Sequence, residues 1–347
     1  MAGAKAGGLK ILVIGCGSIG ARHAANAARR AQLAVFDASP AAARECAERC
    51  AGTAFARLAD ALAWQPDAVV VATPHATHLE LARSALEAGA HVMIEKPLSH
   101  SLDGIPALLA VARTARRGAY VACNMRFHPG PASLKRSLGM IGKPLFARAH
   151  VGNYLPAMRP GRDYRELYAA RRAQGGGVIL DAIHELDYLA WILGDIRSVG
   201  CQAERLGELD IDVEDHALLW LAHESGARSS AELDYLRRRK SRGCEIVGNR
   251  GTLRWQSDGR APERCVVALL PEGGAAQETI FEDTALDPEL PYRAMLDSFL
   301  EDIAHPGSTD MLTADVAADA LAAALAAHES ARRGGAALEL SAWRAAA

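Results

Sequence analysis

The chain has 347 residues, 50% of them apolar and 23% charged, with a formal net charge of −2. That length suits two domains of about 100–200 residues each. The near-neutral balance excludes the basic footprint of a nucleic-acid binder or an anionic-membrane binder, and no apolar run approaches the roughly 18 residues needed to span a bilayer.

Residues 1–10 are small, carry lysines and lack an apolar core, so they read as a frayed tail and not as an export signal. Leu9–Gly15 is a continuous apolar run, as expected of a strand covered on both faces. Ser18–Arg30 reads as a helix, Leu33–Asp37 as a second strand, and Pro40–Cys50 as a helix with proline in its first turn. Ala68–Thr73 is a third buried strand; Thr77 is expected to cap a helix that ends at Gly89; His91–Glu95 is the next strand. A helix over Ile105–Arg117 leads to a strand at Ala119–Cys123. Repeated β-α-β units of this kind predict a parallel, doubly wound sheet over residues 1–124.

After Asn124 strand-like segments follow one another without intervening helices: Leu145–Val151, Val199–Arg205, His216–Ala222, Ala227–Tyr235, Glu245–Val247, Thr252–Gln256 and Cys265–Leu270. Successive strands predict a mostly antiparallel sheet in a second α/β domain, 125–347. One helix interrupts them, Asp181–Leu193, and a last helix, Ala314–Arg333, is expected to pack back on the first domain. The seven cysteines are scattered without a C-x-x-C pair, as expected for small buried hydrophobes in a reducing compartment, so the predicted location is the cytoplasm. Cys46 and Cys50 are helix neighbours, which is no sign of a metal.

Gly15-x-Gly17-x-x-Gly20, with Ser18 and Ile19 inside it, follows a strand and opens a helix, the context a dinucleotide fingerprint requires. The glycines admit a tight turn and close approach of the pyrophosphate, and the helix start supplies amide donors. Asp37 ends the second strand, where a carboxylate accepts from ribose hydroxyls and repels a 2′-phosphate; this favours NAD, with NADP the second choice. A plain helix-capping role for Asp37 is compatible with that reading. Thr73-Pro74-His75-Ala76-Thr77-His78 should border the cofactor at the end of the third buried strand. His75 and His78 lack a nearby carboxylate or cysteine to complete a ligand set, so no metal is expected.

Glu95-Lys96-Pro97 closes the strand before it, and the proline holds Lys96 in an extended or turn conformation. A lysine there, beside a positively charged nicotinamide, is expected to have a lowered pKa suited to exchanging a proton with an alcohol. In the second domain, Gly175-Gly176-Gly177 precedes Asp181, His184 and Asp187 or Tyr188, which would share one face of a continuous helix. A histidine facing a cleft takes a hydroxyl proton as hydride leaves the carbon. A buried, hydrogen-bonded His184 and an N-capping Asp181 fit the spacing equally well.

Together these residues resemble the Gfo/Idh/MocA oxidoreductase family. The resemblance runs through Ala72-Thr73-Pro74…His78, Ala88-Gly89…Glu95-Lys96-Pro97, Asn124-Met125-Arg126-Phe127-x-Pro129, the triple glycine with Asp181 and His184, and Gly248-x-x-Gly251-Thr252-Leu253. It implies a Rossmann domain followed by an α/β domain with a large open sheet through which homodimers or homotetramers form. It implies a catalytic set of Lys96, Asp181 and His184, a cis Lys96–Pro97 bond, and cofactor contacts that include Glu95 and Asn124. Substrate contacts are expected at Lys96, Arg126, Tyr154, Arg162, Tyr164 and Asp187. Many relatives place the aspartate four residues before the histidine; here Asp181 is three before His184, which makes Asp187 a substitute for the third catalytic member.

The segment from Tyr154 to Arg172 is rich in arginine and tyrosine. Aromatics stack on sugar rings and arginines clamp carboxylate or phosphate, so an anionic sugar or sugar nucleotide is one reading; a solvated charged loop is the other. The expected activity is hydride transfer between NAD(P) and a hydroxyl or keto carbon of a sugar, polyol or sugar derivative. Two rivals stand beside it: an NAD-dependent glycosidase working by transient oxidation, and a non-catalytic dinucleotide-binding regulator.

Overall fold

The computed structural model of the protein describes residues 8–344 apart from 260, 261 and 275. The chain separates into two compact units. One holds the described residues up to 99 with 103–122 and 292–315, and the other holds 100–102, 123–291 and the chain from 316 onward.

In the first unit, strands β1 (Lys10–Ile14), β2 (Gln32–Phe36), β3 (Thr53–Phe55), β4 (Ala68–Val71), β5 (His91–Glu95) and β6 (Ala119–Ala122) alternate with helices α1 (Ser18–Ala27), α2 (Pro40–Cys50), α3 (Leu58–Ala63), α4 (His78–Glu87) and α5 (Ile105–Ala115). The sheet order is β6-β5-β4-β1-β2-β3, all parallel, with a short antiparallel strand, Leu312–Thr313, added beside β6. Ile11–Val13 and Ala68–Val71 have no accessible surface. Burying each valine or isoleucine contributes about 1.5–3 kcal/mol, which explains why these runs show no polar alternation. The order reverses between β1 and β4, and ligands of open α/β sheets bind outside the strand ends at such a reversal. Ser39 starts α2 by accepting from the Ala42 amide, with Pro40 in the first turn.

In the second unit, α6 (Pro129–Ser137), α7 (Val178–Asp181) and α8 (His184–Leu193) accompany β7 (Pro144–Gly152), β8 (Ile196–Glu204), β9 (His216–His223), β10 (Arg228–Asp234), β11 (Ser241–Gly248), β12 (Gly251–Ser257), β13 (Glu263–Pro271) and β14 (Glu278–Leu286). These strands order as β14-β13-β12-β11-β7-β10-β9-β8 with Leu338–Glu339 at the edge, antiparallel throughout except for β7 with β10. The first unit is thus a doubly wound parallel sheet, and the second an α/β unit with a large, mostly antiparallel sheet.

The long final helix, Ala314–Arg332, falls in the second unit from Val316 on, and the helix Leu290–Ala304, unforeseen from the sequence, joins the first unit from Tyr292 on. There Phe299 meets Tyr120 edge-on at 5.5 Å. The expected helix Asp181–Leu193 is two helices, broken at Ala182, whose ψ of 26° departs from helical geometry. Thr77 stands at the start of α4 without capping it; its hydroxyl turns back to Thr73 Oγ1 and the Pro74 carbonyl, 2.8 Å each.

Candidate active site

In the first unit, β1 delivers the glycine turn. Gly15 has φ +95°, and a Cβ there would lie 2.5 Å from the Ala72 carbonyl, so only glycine lets the turn pack against the end of β4. A Cβ on Gly20 would run into the Gly15 carbonyl, whereas one on Gly17 would meet nothing within 4 Å. Gly17 opens α1 with no side-chain cap. Open space over an uncapped helix start fits the pyrophosphate of a dinucleotide. Asp37 braces the same turn: Oδ2 accepts from the Cys16 amide at 2.7 Å and Oδ1 from the Ser39 amide at 2.8 Å. Its carboxylate therefore sits at the turn.

Lys96 follows β5, and the Lys96–Pro97 peptide is cis. Glu95 is paired within the first unit. Its Oε1 lies 2.7 Å from His23 Nε2, with His23 only 1% exposed, and its Oε2 accepts from the Lys96 amide at 3.2 Å. His78 is likewise bonded within the first unit. It is fully buried, with Nδ1 2.9 Å from the Pro97 carbonyl and Nε2 2.9 Å from the Thr73 carbonyl, and burial pushes its pKa down. His75 is also buried, 5.6 Å from His78 between ring centroids. Among the described residues no group of three or more His, Cys, Asp or Glu is arranged to hold a metal ion.

In the second unit, Gly177 (φ +108°) lets the chain pass Glu214, whose Oε1 accepts from the Ile179 amide at 3.1 Å and so starts α7. Asp181 ends that helix. Its two oxygens accept from Tyr168 Oη at 2.7 Å and Tyr235 Oη at 3.2 Å. The break at Ala182 separates Asp181 from α8, so Asp181 and His184 do not share one continuous helical face. His184 is 9% exposed. Asp187, expected at the substrate, is held by Arg126: Nη2 lies 2.7 Å from Oδ1 and Nε 3.1 Å from both oxygens, which also commits Arg126. Glu185 is buried against Arg242 at 2.7 and 3.0 Å. α8 is thus buried on its charged side too, each carboxylate matched by an arginine.

Asn124 begins the 3₁₀ turn Asn124–Phe127 in the second unit. The arginine-rich segment is folded, not loose: it carries 3₁₀ turns at Leu155–Ala157, Tyr164–Glu166, Tyr168–Ala170 and Arg172–Gln174. Arg165 is taken up by Asp163 at 2.6 Å, which holds that carboxyl down at about 2. Tyr164 Oη accepts from the Asp210 amide at 3.1 Å, and Arg162 is exposed. Sequence reasoning missed Arg238, whose guanidinium lies 3.8 Å above the Tyr154 ring. The signal for it was the cationic run Arg237-Arg238-Arg239-Lys240. It also missed Tyr235 as a ligand of Asp181.

A glycine turn at the reversal of a parallel sheet, with a lysine at the end of the strand beside β4, defines a dinucleotide-binding α/β protein. A model for an oxidoreductase family with an NAD-binding Rossmann fold matches residues 9–123, and one for the GFO/IDH/MocA C-terminal domain matches 137–254. The chain belongs to the Gfo/Idh/MocA family of NAD-binding oxidoreductases. It is 31% identical over 220 residues to UDP-N-acetylglucosamine 3-dehydrogenase of Acidithiobacillus ferrooxidans, which covers 62% of this chain and 63% of that one. The chain thus spans under two thirds of that curated relative. An oxidoreductase from Agrobacterium radiobacter, solved with NAD+, L-tartaric acid and magnesium, superposes with a TM-score of 0.80 at 23% identity, over 96% of this chain and 99% of that one. The WlbA dehydrogenase of Bordetella pertussis, solved with NADH and UDP-GlcNAcA, gives 0.76 at 23% identity over 95% and 98%. At such identities these likenesses speak for the fold.

Proposed function

We propose that the protein is an NAD-dependent oxidoreductase acting on a hydroxyl-bearing carbon of a carbohydrate, polyol or sugar derivative. The observation that carries this reading is the pairing of the Asp37-braced glycine turn with Lys96 at the end of β5, in a member of an oxidoreductase family. Bound nicotinamide supplies the acceptor or donor of hydride at its C4. The glycine turn and α1 would bind the pyrophosphate, and Asp37 the adenosine ribose, which favours NAD over NADP. In the oxidative direction His184 takes the hydroxyl proton as the C–H bond gives up hydride, with Lys96 hydrogen-bonding the same oxygen as the carbonyl forms. Asp181 is the third member of the proposed set, and its two oxygens accept from Tyr168 and Tyr235.

An anionic sugar or sugar nucleotide is the favoured substrate class. Arg162 and the Arg238–Tyr154 stack support it, as do the UDP-sugar named for one relative and the acids bound by two fold neighbours. We also propose a homodimer or homotetramer formed through the nine-stranded sheet, on which Phe146, Leu218 and Trp220 stay exposed. A cytoplasmic location is consistent with seven free cysteines, and no helix of the described residues is long and apolar enough to cross a membrane.

The test is an absorbance screen at 340 nm with NAD or NADP against sugars, polyols, sugar acids and UDP-sugars. Net NADH formation that falls on the order of 10²–10⁴-fold in Lys96→Ala and in His184→Ala, with NAD affinity kept, supports the reading. Full activity in Lys96→Ala refutes it. Glycoside cleavage without net NADH favours the transient-oxidation chemistry.

A further inference from the structure

The two residues that flank Lys96 are each held by a buried histidine from a different helix. Before it, Glu95 Oε1 lies 2.7 Å from Nε2 of His23 on α1, while Glu95 Oε2 takes the Lys96 amide at 3.2 Å. After it, the Pro97 carbonyl lies 2.9 Å from Nδ1 of His78, the first residue of α4. Nε2 of the same ring lies 2.9 Å from the carbonyl of Thr73, just past the end of β4. His23 and His78 are 1% and 0% exposed. Tyr292 closes over this cluster, its ring 5.9 Å from His23 and 4.5 Å beneath the Arg22 guanidinium. Neither histidine has surface left for a ligand, and both bond to the backbone or side chain that carries the lysine.

We infer that His23 and His78 are positioning residues that clamp the Lys96 backbone from both sides and tie it to the glycine-turn helix and to the end of β4. A lysine stem has four rotatable bonds, so the amine is only as well aimed as the backbone beneath it. A misplacement of about 1 Å at a reacting group costs on the order of 10²-fold. The His78 ring spans two carbonyls, and a neutral imidazole has a single N–H, so one of the two contacts is the donating one. The clamp requires that it be the contact to Pro97.

The inference rests on the redox reading above, and the experiment separates the two. In His78→Asn the amide nitrogen stands where Nδ1 does and keeps a donor for the Pro97 carbonyl. In His78→Gln it stands where Nε2 does and serves Thr73 instead. Both are measured for folding, NAD affinity, KM and kcat. The expected result is a kcat loss on the order of 10²-fold in His78→Gln with KM and NAD affinity unmoved, and a loss at least tenfold smaller in His78→Asn. For His23, the ε-donor retained in His23→Gln should rescue most of the kcat lost in His23→Ala. Equal losses in the two His78 variants, or losses that track NAD affinity, overturn the clamp. Should the wild type form no NADH with any substrate, the redox reading fails by itself. The same rank order is then read from the rate at which trinitrobenzenesulfonate labels Lys96, followed by peptide mass spectrometry. Equal labelling of Lys96 in wild type and both variants overturns the inference independently of turnover.

Discussion

Arg126 grips Asp187 through both carboxylate oxygens across 61 residues of sequence, with the two side chains 10% and 2% exposed. The guanidinium also lies 5.6 Å from the Trp191 ring, one turn further along α8. This carboxylate serves α8 and the Asn124–Phe127 turn before it serves any ligand. Removing one member of a buried pair leaves an uncompensated charge, which costs about 3–5 kcal/mol. Arg126→Ala is therefore expected to lower the urea midpoint by an amount equivalent to about 3 kcal/mol, and the double variant Arg126→Met/Asp187→Leu to recover most of it. A loss below about 1 kcal/mol in Arg126→Ala would show that the pair contributes no more than a surface one.

Asp37 spends both oxygens on backbone amides, Cys16 at 2.7 Å and Ser39 at 2.8 Å. Its carboxylate is thus fixed at the glycine turn, where we propose that the adenosine ribose binds. Hydrogen bonds to a charged group contribute about 1.5–3 kcal/mol each, so Asp37→Ala should weaken NAD by roughly tenfold or more. Asp37→Ser, which removes the charge and leaves a hydroxyl, should move preference toward NADP. Titration of both cofactors checks this; an unchanged NADP affinity in Asp37→Ser would remove the repulsion argument.

The parallel sheet and its glycine turn were readable because each depends on neighbours in sequence. Ile11–Ile14 and Val69–Val71 are uniformly apolar since both faces are covered, and Gly15, Gly17 and Gly20 act within one turn. The break at Ala182 was not readable. The pattern from Asp181 to Leu193 is helical throughout, and the groups that hold Asp181 lie 13 and 54 residues away. The same holds for the partners of Glu95 and His78, which lie 72 and 19 residues distant in sequence. The helix Leu290–Ala304 carries Pro291 in its first turn, where proline is tolerated. Long-range polar pairing, rather than propensity, separates the legible from the illegible positions.

Tyr168 belongs to the arginine-rich segment, and its hydroxyl donates to Asp181 at 2.7 Å; Tyr235 does so at 3.2 Å from the chain that follows β10. Removing the shorter bond should disturb Asp181 more. A lost hydrogen bond to a charged group costs about 1.5–3 kcal/mol, so Tyr168→Phe is expected to lower kcat by roughly tenfold or more, with NAD affinity unchanged. Tyr235→Phe should have a smaller effect on kcat. Steady-state kinetics of both variants with the screened substrate decides it, and wild-type kcat in Tyr168→Phe would remove Asp181 from the catalytic set.

His91 lies at the start of β5, and its Nδ1 accepts from the Gly118 amide at 3.0 Å. Burial, helped by the Arg117 charge and opposed by Asp67, lowers its pKa from 6.5 to about 4. The native state therefore keeps this ring neutral while the unfolded chain protonates it. Between pH 6.5 and 4 the unfolded state binds the extra proton, so the stabilisation present above 6.5 is lost as the pH falls through that window. His128, His150 and His223 are shifted down by burial as well and add to the same acid sensitivity. His91→Asn retains an acceptor for Gly118 but no proton-binding site. Its melting temperature should fall less steeply from pH 7 to pH 4.5 than that of the wild type, and an identical slope would assign the acid loss to the other histidines.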